Sequence, residues 1–157
     1  MQSYTENSPE AMAQLLTALM AADDRIDDAE IEALGVLDAY ARIGITPPRF
    51  ADVLRDYFKD IDASHRAIDR VDCIGACITA PGARVVLWEI MHGLASAGDD
   101  ISPAEIAFVE RVAAVWWNGS LPARLAMPGK ARGYVPHDPL LRSLARSETQ
   151  REPARTG

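Results

Sequence analysis

The fold of this chain is decided by the stretch ADDRIDDAEI (residues 22–31), which returns in altered form as AGDDISPAEI (residues 97–106). In both copies an apolar helical pattern ends in an acidic turn, one isoleucine follows, and a new helix begins directly after it. Two copies predict two related halves, each a pair of helices joined by such a turn. Because one helix pair cannot bury its own apolar side, we expect the two pairs to pack about a pseudo-twofold axis.

The spacing of apolar residues predicts an all-α fold, a helical bundle of about six helices. We expect helices at residues 8–21, 27–44, 46–61, 63–79, 85–97 and 102–118. The helix at 85–97 is apolar almost all round, so it is predicted to be the central buried helix. The helix at 46–61 has the clearest single apolar stripe and is predicted to be half exposed.

Both acidic turns are expected to end in a capping box, in which the cap residue and the third helical residue bond to each other's backbone N–H groups. In the first turn the pair is Asp27 with Glu30, and in the second it is Ser102 with Glu105. Ser8 followed by Pro9 predicts another helix start, with serine as the cap and proline at the first helical position.

Charge is divided unevenly along the 157 residues, whose net charge is −7. Residues 1–118 contain 20 Asp and Glu against 9 Lys and Arg, whereas residues 119–157 contain 3 against 7. An acidic body repels nucleic acid and anionic membranes and favours a protein partner with a basic surface, a cation or its own basic tail. No apolar stretch is long enough for membrane insertion, so we expect a cytoplasmic protein, and its oligomeric state stays open.

The repeated pattern resembles the TerB-like domain of tellurite-resistance and stress proteins, which is also similar to the N-terminal part of the co-chaperone DjlA. The resemblance covers residues 8–118, leaving residues 1–7 as an N-terminal extension and residues 119–157 as a Pro-rich basic tail. It implies an acidic interaction domain that responds to divalent cations, rather than an enzyme.

This chain departs from the family pattern at the turns. The family's glycine, whose backbone is left-handed, corresponds to Asp24 and Asp99, so both aspartates are expected to adopt that conformation. The family's aspartate is kept only as Asp23, because the second copy has glycine there, and the family's glutamate corresponds to Glu30 and Glu105.

The carboxylates of the two turns are candidate ligands for a hard cation such as Ca²⁺ or Mg²⁺. The candidate set is Asp23, Asp24, Asp27, Glu30, Asp99, Asp100 and Glu105. Their spacing differs from that of an EF-hand, in which the sixth position counted from Asp23 would be glycine and here is Asp28. The alternative interpretation is an acidic helix start that complements the helix dipole and faces solvent.

Two cysteines and two histidines offer a second, weaker metal hypothesis. Cys73 and Cys77 share a helical face, His65 precedes them, and His92 lies on the apolar helix at 85–97. A Cys-x3-Cys spacing within a helix is unusual for structural zinc, so small buried thiols and structural histidines are the favoured interpretation.

Aromatic and tail residues supply the candidate partner-binding positions. Adjacent helical positions point about 100° apart, so only one of Trp116 and Trp117 is expected to face the core, and Trp117 is left to cover the tail or meet a partner. Trp88 is expected in the core. In the tail, Asp138-Pro139 predicts a short helix with Leu140, Leu141 and Leu144 on one side and Arg142 and Arg146 on the other, a docking pattern. A chain without fixed structure is the alternative for this segment.

No phosphate-binding loop, nucleophile elbow or zinc-protease motif occurs, and no catalytic residue is predicted. The sequence therefore favours a non-enzymatic acidic interaction domain of a cytoplasmic complex. The alternatives are a structural subunit or adaptor that uses its C-terminal arm, and a carboxylate-based metal-binding protein or metalloenzyme. A di-iron bundle is disfavoured because no Glu-x-x-His pair is present.

Overall fold

The computed structural model describes residues 4–60, 67–97 and 101–118, and it is an all-helical bundle, as the sequence predicts. Seven helices, and no strand, lie within these ranges: α1 Pro9–Met20, α2 Asp28–Val36, α3 Ala39–Ile43, α4 Pro47–Asp60, α5 Ala67–Ala76, α6 Pro81–Ala95 and α7 Pro103–Trp117. None of the described helices combines the length and the apolar character needed to cross a membrane. The pseudo-twofold relation between the halves stays a prediction.

Helix α1 is the centre of the bundle, and the prediction that the helix at 85–97 is central is wrong. Nine of the twelve residues of α1 are buried, and α1 packs against α3, α4, α5, α6 and α7. Small residues such as Ala11, Ala13 and Ala18 let neighbouring helices approach it from several sides. Helix α6 instead keeps a solvent side, where Glu89 forms an ion pair with Arg42.

The predicted continuous helix at 27–44 is divided into α2 and α3, which accounts for a count of seven rather than six. The break is at Asp38, whose φ of 52° is left-handed. The adjacent Leu37 lies against Gly93 of α6, where an added Cβ would come within 2.7 Å of its δ-carbons. The break therefore directs the Leu37 side chain into the space beside Gly93, which any larger residue at position 93 would fill. Gly44 ends α3 with a φ of 75°, at the predicted terminus.

Helix starts follow the predicted chemistry. Ser8 Oγ accepts a hydrogen bond of 3.1 Å from the N–H of Ala11, with Pro9 in the first turn of α1. Helix α4 buries Phe50, Val53 and Tyr57, as its apolar stripe predicts. Of the rest of that stripe, Leu54 is half-buried, Phe58 is exposed, and Ile61 lies outside the described residues.

The chain before α1 is attached to the junction between α5 and α6. Asn7 has a left-handed backbone, and its Oδ1 accepts hydrogen bonds from the N–H groups of Thr79 at 2.8 Å and Ala80 at 2.9 Å. Its own N–H donates to the carbonyl of Cys77 at 2.9 Å. Tyr4 is half-buried and packs against the core.

Helices α5 and α7 pack closely together around tryptophan and arginine. The indole N–H of Trp116 donates to the carbonyl oxygen of Gly75 at 2.9 Å. Arg84 of α6 donates to the carbonyls of Ile78 at 2.7 Å and Trp116 at 3.1 Å. Backbone oxygens at the ends of α5 and α7 thus receive donors from side chains, as a buried carbonyl requires.

Candidate functional site

The first acidic turn contains a residue whose backbone is left-handed. Asp24 has a φ of 63°, which confirms the conformation expected where the family pattern has glycine. The side chain of Asp23 supports the turn, because its Oδ1 accepts a hydrogen bond of 3.1 Å from the N–H of Arg25. The corresponding Asp99 lies outside the described residues.

Both turns end at a glutamate that caps its own helix. The N–H of Asp27 donates to Glu30 Oε2 at 2.9 Å, and the N–H of Ser102 donates to Glu105 Oε2 at 2.7 Å. In the second turn the reciprocal bond, from the N–H of Glu105 to Ser102 Oγ, measures 3.1 Å. The capping boxes predicted from the sequence are therefore present.

These two glutamates are buried, and the charge of Glu105 acts on Glu30. Glu30 is 7% exposed and Glu105 is 9% exposed. The pKa of Glu30 is raised to about 7, chiefly by burial and in addition by the negative charges of Glu105, Asp23 and Asp27, while the hydrogen bond from the Asp27 backbone lowers it. The capping residues of turns that are far apart in sequence are thus close in space.

The remaining carboxylates of the first turn point to solvent. Asp23, Asp24, Asp27, Asp28 and Glu32 are all exposed. The described ion pairs lie elsewhere: Arg42–Glu89, Arg49–Glu10, Arg55–Asp52, Lys59–Asp56 and Arg111–Asp72. No described ion pair includes a carboxylate of the first turn, so its negative charge is available to an external cation.

Comparison with known proteins bears on this arrangement of turns. The family model described as tellurite resistance protein TerB matches residues 9–116, more than half of the chain. The chain belongs to the TerB family. Neither the curated proteins nor the solved structures contain a significant match to it. The match spans both acidic turns and ends at Trp116, before the basic tail.

The metal-ligand set predicted from the sequence is only partly within the described structure. Glu30 and Glu105 are brought together, Asp23, Asp24 and Asp27 lie on the exposed side of the first turn, and Asp99 and Asp100 fall outside the described residues. Within the described ranges, no three Asp, Glu, His or Cys side chains are placed to bind one metal ion. The described residues of this TerB-family chain therefore do not form a closed metal site by themselves.

The prediction of buried thiols is wrong. Cys73 is exposed and Cys77 is half-buried, and both are free. The inward side of α5 is taken by Val71 and Ile74, which leaves Cys73, the neighbour of Ile74, about 100° away on the helix surface. The Cys77 thiol donates to the carbonyl of Cys73 at 3.3 Å. His92 is half-buried, and His65 lies outside the described residues.

The burial predicted for Trp88 and for one of the two adjacent tryptophans is confirmed, and the partner-binding role of Trp117 stays a prediction. Trp116 and Trp88 are buried, at 5% and 4% exposure. Trp117 is half-buried and packs edge-to-face against Trp88, with ring centroids 5.4 Å apart. The other proposed partner-binding residues, Leu140, Leu141 and Leu144, lie outside the described residues.

Sequence reasoning missed the attachment made by Asn7 and the mutual proximity of Glu30 and Glu105. A signal for the second was available, because both glutamates hold the same position in the repeat and capping directs both side chains back toward their turns. No comparable signal marks Asn7, because its partners at Thr79 and Ala80 are far along the chain.

Proposed function

We propose that this TerB-family chain is a non-enzymatic interaction domain whose first acidic turn binds a basic segment of a protein partner, and that divalent cations modulate this binding. The observation that carries the proposal is the set of exposed carboxylates on residues 23–32, which no described ion pair neutralises. Elsewhere on α4 and α6, exposed acids are already paired with arginine or lysine.

The buried glutamates support a response to cations. Burial and, in addition, the charges of Glu105, Asp23 and Asp27 raise the pKa of Glu30, so a cation bound among these groups would favour its ionised form. Divalent ions and lysine ammonium groups would act in the same direction. Since the described residues do not complete a metal site, an ion at this position would need further oxygen ligands, such as water or the carboxylates of Asp99 and Asp100.

Binding of a decalysine peptide tests the proposal, measured by calorimetry at low and moderate salt. The turn variant replaces Asp23, Asp24 and Asp28 with Asn and Glu32 with Gln. Four weak ion pairs contribute about 0.3–0.5 kcal/mol each, so we expect a loss of roughly tenfold in affinity and a weaker dependence on salt.

The matched control removes the same number of charges where they are already paired, by Asp52→Asn, Asp56→Asn, Asp72→Asn and Glu89→Gln. We expect this control to lose much less affinity than the turn variant. Equal losses in the two variants would show that only net charge matters, and the acidic turn would then have no special role.

Thermal melting with Ca²⁺, Mg²⁺, Mn²⁺ or Zn²⁺ tests the response to cations. A ligand that binds only the folded chain raises the midpoint, by an amount that saturates with concentration. We expect Glu30→Gln to weaken the rise, whereas Asp72→Asn on α5 should leave it unchanged. If millimolar concentrations of all four ions shift no midpoint, the cation-responsive part of the proposal fails and the peptide experiment still decides the rest.

A further inference from the structure

Helix α2 exposes apolar side chains on its solvent side. Its inward side is formed by Glu30 and Leu34, whereas Ile31 is 43% exposed and Val36 is 80% exposed. Among the described residues only three large hydrophobic side chains are exposed, and two of them belong to this nine-residue helix. The two side chains are five residues apart and lie about 140° apart around the helix, at the two margins of its solvent side.

Gly35 lies between these two side chains. Packing within the chain does not require a glycine at this position. A Cβ added there would meet no atom within 4 Å, and the backbone is not left-handed. Glycine inside a helix costs about 1 kcal/mol relative to alanine. Its absence of a side chain leaves α2 open to close approach by another segment.

The same face of α2 carries an acidic strip. Asp28 and Glu32 are one helical turn apart and lie between Ile31 with Gly35 on one side and Val36 on the other. We name this combination of Asp28, Ile31, Glu32, Gly35 and Val36 the α2 face. A segment that covers it must offer apolar side chains together with positive charge.

We propose that residues 138–146 of the same chain dock on the α2 face. The helical spacing of this segment predicts Leu140, Leu141 and Leu144 on one side and Arg142 and Arg146 on the other. Residues 119–157, to which it belongs, carry seven Lys or Arg against three Asp or Glu, so they are attracted to the acidic turn. The leucine side of the segment would cover Ile31, Gly35 and Val36, and the net positive charge of residues 119–157 complements Asp28 and Glu32.

The intervening chain is long enough to make this contact. Helix α7 has 15 residues and is about 22 Å long, and its first turn contains Glu105, whose charge acts on Glu30 in the first turn of α2. A segment that leaves the end of α7 must therefore return over about one helix length. Residues 119–137 span at most about 65 Å when extended, which is ample, and a tether of this length keeps the segment at high effective concentration.

Disulfide trapping in the full chain tests this contact. The native thiols are removed by Cys73→Ser and Cys77→Ser, and a new pair is introduced by Val36→Cys and Leu144→Cys. Val36 is 80% exposed, so its replacement leaves the core intact, and the melting transition followed by circular dichroism verifies folding. Under mild oxidation with EDTA, we expect the pair to form a disulfide within one chain.

The matched control places the first cysteine on a different exposed helix, by Arg55→Cys on α4, and keeps Leu144→Cys. The Val36 pair should cross-link at least tenfold faster than this control. Adding Leu140→Asp and Leu141→Asp to the Val36 pair should reduce its rate to the control value. Equal rates for the two pairs would overturn the proposal, and so would products that link only two separate chains, since a second copy would then be the occupant.

The docked segment would compete with a basic partner for the acidic turn, and this consequence rests on the proposed function. The two ideas fail separately. Intramolecular trapping without binding of decalysine would retain the docking and reject the proposed function. Decalysine binding without preferential trapping would retain the proposed function and reject the docking. If both hold, Leu140→Ser with Leu141→Ser, which adds no charge of its own, should raise the affinity for decalysine severalfold.

Discussion

Glu105 at the start of α7 repels Glu30 at the start of α2, although the two residues belong to different turns of the sequence repeat. Burial is the main reason that the pKa of Glu30 is raised to about 7, and Glu105 is the largest of the charges that raise it further. Each carboxylate is kept in place by a backbone N–H from its own helix cap. Capping therefore fixes the position of each carboxylate within its own turn.

This arrangement predicts that the chain becomes more stable as the pH falls from 8 toward 5. Between pH 4.5 and about 7, the Glu30 carboxyl is protonated in the folded chain and ionised in the unfolded chain. Its contribution to the free energy of unfolding therefore falls as the pH rises through this range. The shift corresponds to a few kcal/mol at most. Thermal melting in EDTA at a series of pH values measures it.

Glu30→Gln should flatten this pH dependence and raise the midpoint at pH 8, because glutamine keeps an oxygen for the N–H of Asp27 and carries no charge. Glu32→Gln is the matched control, since it removes an exposed carboxylate from the same helix. A Glu30→Gln chain that is as pH-dependent as the unchanged one would contradict the assigned role of Glu30.

A second prediction concerns Asn7. Asn7→Ala removes the acceptor for two backbone N–H groups and places alanine in a left-handed backbone, so we expect a loss of about 2–3 kcal/mol in the free energy of unfolding. Asn7→Asp keeps the acceptor oxygen and tolerates the backbone, so its loss should be clearly smaller. Urea titration measures both, and equal losses would show that the hydrogen bonds are unimportant.

A third prediction couples Gly93 to Leu37. Gly93→Ala should destabilise the chain by about 1–2 kcal/mol, because the new Cβ would lie 2.7 Å from both δ-carbons of Leu37. In a Leu37→Ala background the same change should become neutral or stabilising by up to about 1 kcal/mol, since alanine is the better helix former. A double-mutant cycle by urea unfolding measures the coupling, and additive effects would contradict it.

A fourth prediction separates the adjacent tryptophans. Trp116→Phe leaves the carbonyl oxygen of Gly75 without its indole donor and should cost about 1–3 kcal/mol. Trp117→Phe keeps an aromatic ring beside Trp88 in a half-buried position, so it should cost less. Chemical unfolding of the two variants tests the order, and a larger loss at Trp117 would reverse the assignment of the inward residue.

Local chemistry that the sequence determines by itself accounts for most of the helix boundaries. The cap at Ser8, the glutamate caps of both turns, the left-handed Asp24 and the end of α3 at Gly44 depend on residues within a few positions of one another. Such short-range interactions are specific to residue type and spacing, so they can be predicted before any packing is known.

Only the tertiary structure decided which helix is central, where the predicted helix at 27–44 breaks, and which acidic groups meet. Helix α1 is enclosed because five other helices pack against it, and Leu37 turns inward because Gly93 leaves space on α6. The pKa of Glu30 is raised because folding buries its carboxylate and places the charge of Glu105 near it. Each of these features depends on contacts between residues far apart in the chain. The free energy of such contacts cannot be predicted from a local sequence pattern. The acidic turns were visible in the sequence, but the pairing of their glutamates required the folded chain.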